Sequence, residues 1–226
     1  VTPADVYFSR FRNDLRVTLG DGTDTVTILN WYAYNQTNNR IERIEFSDGT
    51  VYDPAYVDSH LELRGTENNN VLNGSDADEQ IFGLGGNDLI DGRAGSDVID
   101  GGAGDDFIQG GGGSDIISGG IGNDYIADSG YSADTYLFGR GGGKDIVFDQ
   151  DNDTANIDAI VFDTDVAPAD VIVRRVGSDA VLTIKDTGDQ ITIRYGFQET
   201  YSGYRVEEVR FADGTIWDYN NLISFA

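Results

Sequence analysis

Aspartates recur at nine-residue intervals in the middle of the chain, and carboxylates at a fixed spacing are candidate metal ligands. The sixth position of each unit, counted from Gly65, carries these aspartates: Asp88, Asp97, Asp106, Asp115, Asp124 and, after one inserted residue, Asp134. Residues 65–137 hold 14 acids and one base, Arg93, so basic side chains cannot neutralise the segment. Carboxylate and carbonyl oxygens are hard ligands that suit calcium, whereas magnesium demands a stricter octahedron. The pattern therefore predicts calcium sites.

A nine-residue period indicates which elements position these side chains. The eighth position is always large and apolar: Leu72, Ile81, Ile90, Ile99, Ile108, Ile117, Ile126 and Tyr136. Nine is too long for strand alternation and fits no heptad, so each unit is predicted to be a glycine turn followed by a short strand. We expect residues 107–109, for example, to be extended, with Ile108 pointing inward. Two units then close one coil of a flattened parallel solenoid.

Stacked coils would superimpose aspartates from units two apart. Asp88, Asp106 and Asp124 would form one column, and Asp97, Asp115 and Asp134 the other. Ions between successive coils would be held by these carboxylates and by glycines of the turns: Gly86, Gly95, Gly102, Gly104, Gly111, Gly113, Gly120 and Gly122. We expect four calcium ions, or up to six if the first coils also bind.

The first two units depart from the pattern. Asn68 and Ala77 replace the glycine at position four, and Asn70 and Glu79 replace the aspartate at position six. We expect weaker ion sites there, or none.

The five units from Gly83 to Ala127 keep glycine at position four and aspartate at position six. They match the nonapeptide G-G-x-G-x-D-x-U-x, and the sequence therefore resembles the RTX repeats of the haemolysin-type calcium-binding family of bacterial secreted proteins. The resemblance implies a chain that stays unfolded in the calcium-poor cytosol, passes a type I secretion channel and folds outside. Its partners would be calcium, the rest of a parent polypeptide and the secretion machinery, at an extracellular or cell-surface location.

The two flanks are copies of one module. Residues separated by 165 positions coincide at PADV (3–6 and 168–171), at Asp14 and Asp179, and at F-S-D-G-T against F-A-D-G-T. Alternating stretches at 15–29 and 181–193, joined by DG or DTGD turns, predict hairpins, and a second DG at 48–49 and 213–214 predicts another. These flanks resemble the domain that commonly follows calcium rolls in the same family, so the first copy is expected to close a preceding roll.

The predicted fold class is all-β, a calcium-binding parallel β-roll flanked by two homologous β-hairpin cap modules. The predicted domains are an N-terminal cap (1–62), the roll (63–145) and a C-terminal cap (146–226), which duplicates residues 1–53. Position seven is also apolar and faces outward, so either a neighbouring segment covers it or it awaits a partner: Leu89, Val98, Phe107, Ile116 and Tyr125.

Composition excludes several function classes. The formal charge is −25, from 40 acids against 15 bases, which disfavours nucleic acid and anionic membranes as partners. No apolar run is long enough to span a bilayer, and a chain without cysteine has no disulfide or thiolate site. His60 is the only histidine and no G-x-S-x-G motif occurs, so we expect that the protein is not an enzyme. We also expect a monomer. The lack of methionine suggests an internal fragment.

Three further motifs admit a functional interpretation. Residues 139–145 resemble a phosphate loop, but Phe138 and Asp145 break its pattern. Residues 149–158 begin like an EF-hand, with Asp149, Asp151 and Asp153 as candidate ligands, yet the turn glycine and the final glutamate are missing. Six aromatics could form a sugar-binding face, although core packing is the commoner role: Trp31, Tyr32, Tyr34, Tyr201, Tyr204 and Trp217. An adhesive or ligand-binding module that uses the roll as a scaffold is therefore the alternative function.

Overall fold

The computed structural model describes residues 6–11, 14–19, 24–29, 41, 43–58, 61–150, 156–197 and 206–226. The chain divides into two compact units, Val1–Arg64 and Gly65–Ala226. His60, Asp151, Asp153 and five of the six candidate sugar-binding aromatics lie outside the described residues. None of the helices in the described ranges is long and apolar enough to cross a bilayer.

The first unit is a small antiparallel sheet with a second hairpin and a short helix. β1 pairs with β2, and β2 with β3, around a core that includes Phe8, Leu15 and Val57. β1 also pairs in parallel with the start of β6, at Leu61 and Glu62. The elements are β1 (Val6–Phe11), β2 (Asp14–Leu19), β3 (Asp24–Ile28), β4 (Ile44–Glu45), β5 (Val51–Tyr52), α1 (Pro54–Asp58) and β6 (Leu61–Thr66).

The second unit begins with the predicted roll. The strands of the roll pair in parallel with strands two nonapeptides away, so that Ile99 lies beside Ile117 and Ile108 beside Ile126. Successive nonapeptides therefore alternate between two sheets, as predicted. The strands are β7 (Val71–Asn73), β8 (Gln80–Leu84), β9 (Leu89–Ala94), β10 (Val98–Ala103), β11 (Phe107–Gly112), β12 (Ile116–Ile121), β13 (Tyr125–Asp128) and β14 (Thr135–Phe138).

Most of these strands are longer than the three residues predicted, because parallel pairing continues into the glycine positions, whereas β7 has three. Gly102 pairs with Gly120, and Ala103 with Ile121, so β10 runs over six residues. The position-eight side chains fill the interior as expected, from Leu72, 8% exposed, to Tyr136, which is fully buried. Each buried isoleucine contributes about 1.5–3 kcal/mol relative to an exposed one.

The roll continues without interruption into the C-terminal module. β15 pairs in parallel with β13, and β16 with β14, although the residues just before β16 contain no glycine. β19 and β20 then extend the two sheets by pairing with β15 and β16. The remaining elements are β15 (Lys144–Asp149), β16 (Ala159–Phe162), a 3₁₀ turn (Pro168–Asp170), β17 (Val171–Val176), β18 (Asp179–Ile184), β19 (Gln190–Ile193), β20 (Glu208–Arg210), β21 (Ile216–Asp218) and α2 (Tyr219–Phe225).

The duplication seen in the sequence is also a duplication of structure. Val6 faces Leu19 in the first copy, and Val171 faces Ile184, 165 residues later, in the second. The β20–β21 hairpin likewise repeats β4–β5 around the second DG turn. The roll with two homologous hairpin modules is therefore confirmed, whereas the domain boundaries stay a prediction. The residue 145–146 boundary lies inside β15.

Candidate metal centre

The roll buries all six of the predicted aspartates, each 1–3% exposed. In each column, Oδ1 of one aspartate accepts a hydrogen bond from the backbone N–H of the aspartate one coil earlier. Asp88 donates to Asp106 at 2.7 Å and Asp106 to Asp124 at 2.8 Å, and Asp97 donates to Asp115 at 2.8 Å. One oxygen of each carboxylate thus holds neighbouring coils in register, as the predicted stacking requires.

The second carboxylate oxygen, Oδ2, forms no such hydrogen bond between coils. Among the described residues, the Oδ2 atoms of five column aspartates are buried and have no hydrogen-bond partner: Asp88, Asp97, Asp106, Asp115 and Asp124. An unpaired buried charge is among the costliest groups in a fold, because it loses its hydration without compensation. A bound cation would compensate each oxygen, so this carboxylate set fits calcium.

Main-chain carbonyls complete the oxygen environment. A Cβ built on Gly101 would lie 2.5 Å from Oδ2 of Asp106 and 2.5 Å from the carbonyl oxygen of Gly119. A Cβ on Gly92 would meet Oδ2 of Asp97 at 2.6 Å and the carbonyl of Gly110 at 2.5 Å. The space at position one is therefore shared by carboxylate and carbonyl oxygens, which are the ligands that calcium prefers.

The eight predicted glycines all have positive φ, between 94° and 153°. A Cβ on Gly86 would lie 2.5 Å from the backbone of Asn68 and Asn69 in the preceding coil, so Gly86 leaves no room for a side chain. The positive φ gives these glycines a conformational role. That their carbonyl oxygens bind the ions stays a prediction. The carbonyls that flank the same built Cβ positions as the buried Oδ2 atoms belong instead to glycines of position one, including Gly101, Gly110 and Gly119. Their signal is visible in the sequence, because units one to seven all begin with glycine.

Both columns extend beyond the nonapeptides, which the sequence analysis missed. The backbone of Asp124 donates to Oδ1 of Asp145 at 3.0 Å, and that of Asp134 donates to Oδ1 of Asp158 at 2.8 Å. Asp158 in turn donates from its backbone to Oε2 of Glu207 at 3.0 Å. In the sequence, Asp145 stands out only as a mismatch to a phosphate loop. The overlooked signal is the acid-x-apolar triplet, which repeats positions six to eight: Asp145–Ile146–Val147 follows a glycine at position four, Gly143, with φ of 85°, whereas Asp158–Ala159–Ile160 follows no glycine turn.

One place brings three carboxylates together. Asp115, Asp128 and Asp134 are all buried, and one ligand oxygen from each lies within 4.8 Å of the others. It is the one such group of three or more among the described residues. In the nine-residue pattern Asp128 is an insertion between repeats, for which the pattern predicts no ligand role.

The first two nonapeptides carry Asn70 and Glu79 in place of the aspartate, and these side chains accept hydrogen bonds within their own turns. Oδ1 of Asn70 accepts from the backbone N–H of Thr66 at 2.5 Å, and Oε2 of Glu79 accepts from that of Ser75 at 2.8 Å. Glu79 also bonds the Ser75 hydroxyl. These bonds take up oxygens that would otherwise face an ion, and the weaker or absent ion sites in these two nonapeptides stay a prediction.

Burial controls the protonation of the columns. It raises the pKa of Asp97 and of Asp115 to about 7 and that of Asp124 to about 6. Burial, with the charge of Asp128, raises the pKa of Asp134 to about 8, and burial raises the pKa of Asp145 to about 8. A bound cation would have to displace protons from these groups near neutral pH.

Described residues of the other two motifs make contacts within the fold. Asp149, the first acid of the EF-hand-like stretch, is buried and accepts a hydrogen bond from the Tyr136 hydroxyl at 2.8 Å. Arg140, in the phosphate-loop-like stretch, forms ion pairs with Asp165 and Asp170 at 3.3 Å and with Asp186.

Trp217 contacts Phe211 and Phe225, with ring centroids 4.6 and 5.0 Å apart, as a packing residue would. On the outer faces, four of the position-seven residues are 38–45% exposed: Leu89, Val98, Phe107 and Ile116. Tyr125 is half-buried and stacks on Phe107, with ring centroids 5.4 Å apart.

Comparison with known proteins gives matches over most of the chain. The RTX calcium-binding nonapeptide repeat model matches residues 62–90 and 91–126, and the haemolysin-type calcium-binding protein related domain matches residues 14–56 and 179–221. The chain is 38% identical over 86 residues to the iron-regulated protein FrpA of Neisseria meningitidis serogroup C, which covers 37% of this chain and 8% of that protein. The solution structure of the AlgE6R3 subunit of the Azotobacter vinelandii mannuronan C5-epimerase matches with 23% identity and a TM-score of 0.39, over 66% of this chain and 81% of that one.

Proposed function

Because the chain belongs to the haemolysin-type calcium-binding family and carries RTX repeats between two related domains, we propose that it is a calcium-dependent structural module of a larger secreted bacterial protein. In this proposal the module is unfolded in the cytosol, assists type I secretion and folds outside the cell. It acts as a monomer and performs no chemical reaction itself.

The observation that carries the proposal is the row of buried Oδ2 atoms without a hydrogen-bond partner. Closing a coil without a cation confines several carboxylates in the same column, and they repel each other. The columns exist only when the coils are stacked, so ligand positions and fold form together. Cation binding should therefore supply free energy that folding needs.

The column aspartates are proposed to hold the ions, together with main-chain carbonyls of the glycine turns. Calcium supplies positive charge and accepts a variable number of oxygen ligands. Four ions would offset eight of the negative charges, with further ions at the ends of the columns. Extracellular calcium modules bind at about 10⁻⁴–10⁻³ M, which is above cytosolic free calcium and supports folding after export.

A calcium titration followed by far-UV circular dichroism tests this function. We expect a cooperative gain of β signal between chelator and about 10 mM calcium, and little gain with magnesium, because magnesium tolerates fewer coordination geometries. The double variant Asp106→Asn with Asp115→Asn should lose the transition. Asp100→Asn removes a half-buried charge outside the columns and serves as the control. A chain that is already folded in chelator, or a double variant that titrates normally, would contradict the proposal.

A specific surface supports the adhesive alternative. Phe107, Tyr125 and Phe148 line a groove of about 520 Å³ on one outer face of the roll, with Gln109 and Gln150 beside them. Aromatic rings next to amide groups suit an amphipathic ligand. If the roll folds without calcium, this groove becomes the first place to seek a function.

A further inference from the structure

The insertion before the last nonapeptide places a carboxylate where the repeat requires glycine. Units one to seven begin with glycine, but the residue that follows Ala127 is Asp128. Asp128 remains in register, paired with Asp149 at the end of β13, and is 3% exposed. Its Oδ1 accepts hydrogen bonds from the backbone N–H groups of Gly111 at 3.1 Å and Ser129 at 2.8 Å.

The other oxygen of Asp128 points into the ion space of the neighbouring coil. A Cβ built on Gly110 would lie 2.6 Å from Oδ2 of Asp128 and 2.7 Å from Oδ2 of Asp115. The Asp115 oxygen is buried and has no hydrogen-bond partner among the described residues. With Asp134, three acidic side chains surround one space, whereas the repeating coils bring no other such group together within the described ranges.

We propose that Asp115, Asp128 and Asp134 form a calcium site that differs from the repeating sites and binds the ion more tightly. The affinity of calcium sites rises with the number of charged ligands, and Asp128 adds one carboxylate to the two that the columns supply. In the folded roll, this site at the junction with the C-terminal module binds its ion more tightly than each repeating site does. The inference rests on the proposed function, because it assumes that the roll binds calcium.

Calorimetric calcium titration of the full chain at pH 8 tests the inference. Wild type should show one tight ion and a weaker class. The variant Asp128→Asn keeps the shape of the side chain and removes its charge, so the tight class should weaken by about tenfold or more. Asp106→Asn should instead reduce the weaker class and leave the tight ion in place.

Circular dichroism in about 10 mM calcium checks that both variants fold, and Asp128→Gly, which restores the repeat pattern, provides a second test. A tight ion that persists in both folded Asp128 variants would overturn this inference alone. A wild-type chain that binds no calcium would overturn the proposed function as well. One class of equal sites in wild type also contradicts the inference.

A second, independent observation concerns the free edge of β3. In the C-terminal copy, the equivalent strand β19 pairs in parallel with β15 of the roll. The backbone of Gln190 donates to Gly143 at 2.7 Å and that of Arg194 to Val147 at 2.9 Å. Ile191 is 1% exposed in that pairing, whereas its counterpart Val26 is 53% exposed.

β3 is the last strand of its sheet among the described residues. We infer that it docks onto the last coil of a preceding RTX roll of the parent polypeptide, as β19 docks onto β15. The two copies share register and residue types, so the strand that buries Ile191 against a roll can bury Val26 in the same way. An exposed edge with apolar residues is also a liability that a docked strand removes. This inference rests on the proposal that the chain is part of a larger protein.

An extended chain tests the docking. Residues 61–165 lead directly into the second copy, so a duplicate of this stretch fused ahead of Val1 recreates the same connection for β3. The amides of Thr25 and Leu29, the counterparts of Gln190 and Arg194, should exchange at least about tenfold more slowly in the fusion with calcium than in the original chain. Val26→Pro, which disrupts β3, should remove this protection.

The native β15 reports calcium loading in the same sample. Unchanged exchange at Thr25 and Leu29, while β15 is protected, would overturn the docking inference without affecting the calcium proposal. Unprotected β15 would instead count against the proposed function and, with it, against the docked roll.

Discussion

At the scale of single residues, each column aspartate has two separate tasks. Oδ1 holds the backbone of the preceding coil, as between Asp106 and Asp88, and Oδ2 faces the space at position one. Asparagine would preserve the size of the side chain and remove its charge. An alanine would remove both the hydrogen bond and the proposed ligand, so the two substitutions separate structural support from cation binding.

The first prediction concerns Gly101, which sequence analysis did not single out. Gly101→Ala should destabilise the calcium-loaded fold by about 1–3 kcal/mol, because the new Cβ would crowd Oδ2 of Asp106 and the Gly119 carbonyl. Gly112→Ala is the matched control, since its Cβ would meet one atom at 3.9 Å. Urea denaturation in calcium measures both. Equal stabilities would show that position one tolerates a side chain.

The second prediction concerns pH in the absence of calcium. The column aspartates have raised pKa values in the fold, about 7 for Asp97 and Asp115 and about 8 for Asp134, against an ordinary value of 3.8. The folded state therefore binds more protons than the unfolded state between about pH 4 and pH 8, and its stability falls as pH rises through that range.

We expect chelated protein to gain β structure when pH is lowered from 8 to 5. In calcium the trend should reverse, because protons compete with the ion for the same oxygens. Circular dichroism at both conditions, with sodium chloride held constant, measures this. A chelated chain with the same β content at pH 5 and pH 8 would contradict the role given to burial.

The ligand set could be predicted from the sequence only in part. The nine-residue period identifies the six aspartates because each is followed two residues later by a large apolar side chain. Asp145 and Asp158 occupy the same place in the columns, but Asp145 follows Gly143 without a glycine at position one, and Asp158 follows no glycine turn at all. Asp128 breaks the period itself, and only the folded chain places it beside Asp115. Repetition therefore reveals the regular sites, and the exceptions depend on tertiary contacts.

At the scale of elements, parallel pairing at a spacing of 18 residues determines both the core and the columns. Position seven is exposed or half-buried and position eight is buried, as with Phe107 at 38% and Ile108 at 0%. A slip of one residue would turn the isoleucines outward. The Oδ1 bonds between coils oppose such a slip, so the columns and the core specify the same register.

The third prediction compares these two positions. Ile108→Ala should reduce the free energy of unfolding in calcium by about 2–5 kcal/mol, because it leaves a cavity inside the roll. Ile116→Ala, at an outward position that is 41% exposed, should cost much less. Denaturation midpoints in saturating calcium test the contrast. Similar losses would mean that a further surface covers Ile116.

Sequence patterns predicted the hairpins better than the helices. The DG turns correctly located β4–β5 and β20–β21, because glycine adopts the required positive φ at Gly49 and Gly214. Helix α2 was missed because it is short and does not follow a helical period. Its start was nevertheless signalled by Asp218 and Asn221, which cap the first turn reciprocally.

At the scale of the whole molecule, the charge of −25 opposes compaction unless cations are bound. Salt screens exposed charges over about 8 Å at physiological ionic strength. The columns are buried, so the mobile ions of a simple salt cannot replace a bound cation there. Screening and specific binding should thus have separable effects on size and on structure.

The fourth prediction uses this separation. In chelator, raising potassium chloride should shrink the radius of gyration of the unfolded chain without producing the β signal. Calcium at the same ionic strength should produce both changes together. Small-angle scattering combined with circular dichroism measures the two quantities. Full β signal in potassium chloride alone would mean that general repulsion, and not the buried columns, keeps the chain unfolded.

The identical strand register of the two modules has a genetic consequence. β1 pairs with the beginning of β6, whereas β19 pairs with β15 of the roll, so the module offers a strand to the coil before it and a strand to the coil after it. A DNA duplication or deletion of one 165-residue block would leave each of these strand pairs with an equivalent partner. If β3 docks onto a preceding roll as β19 docks onto β15, a parent protein with more or fewer such blocks would keep a partner for each of these strands.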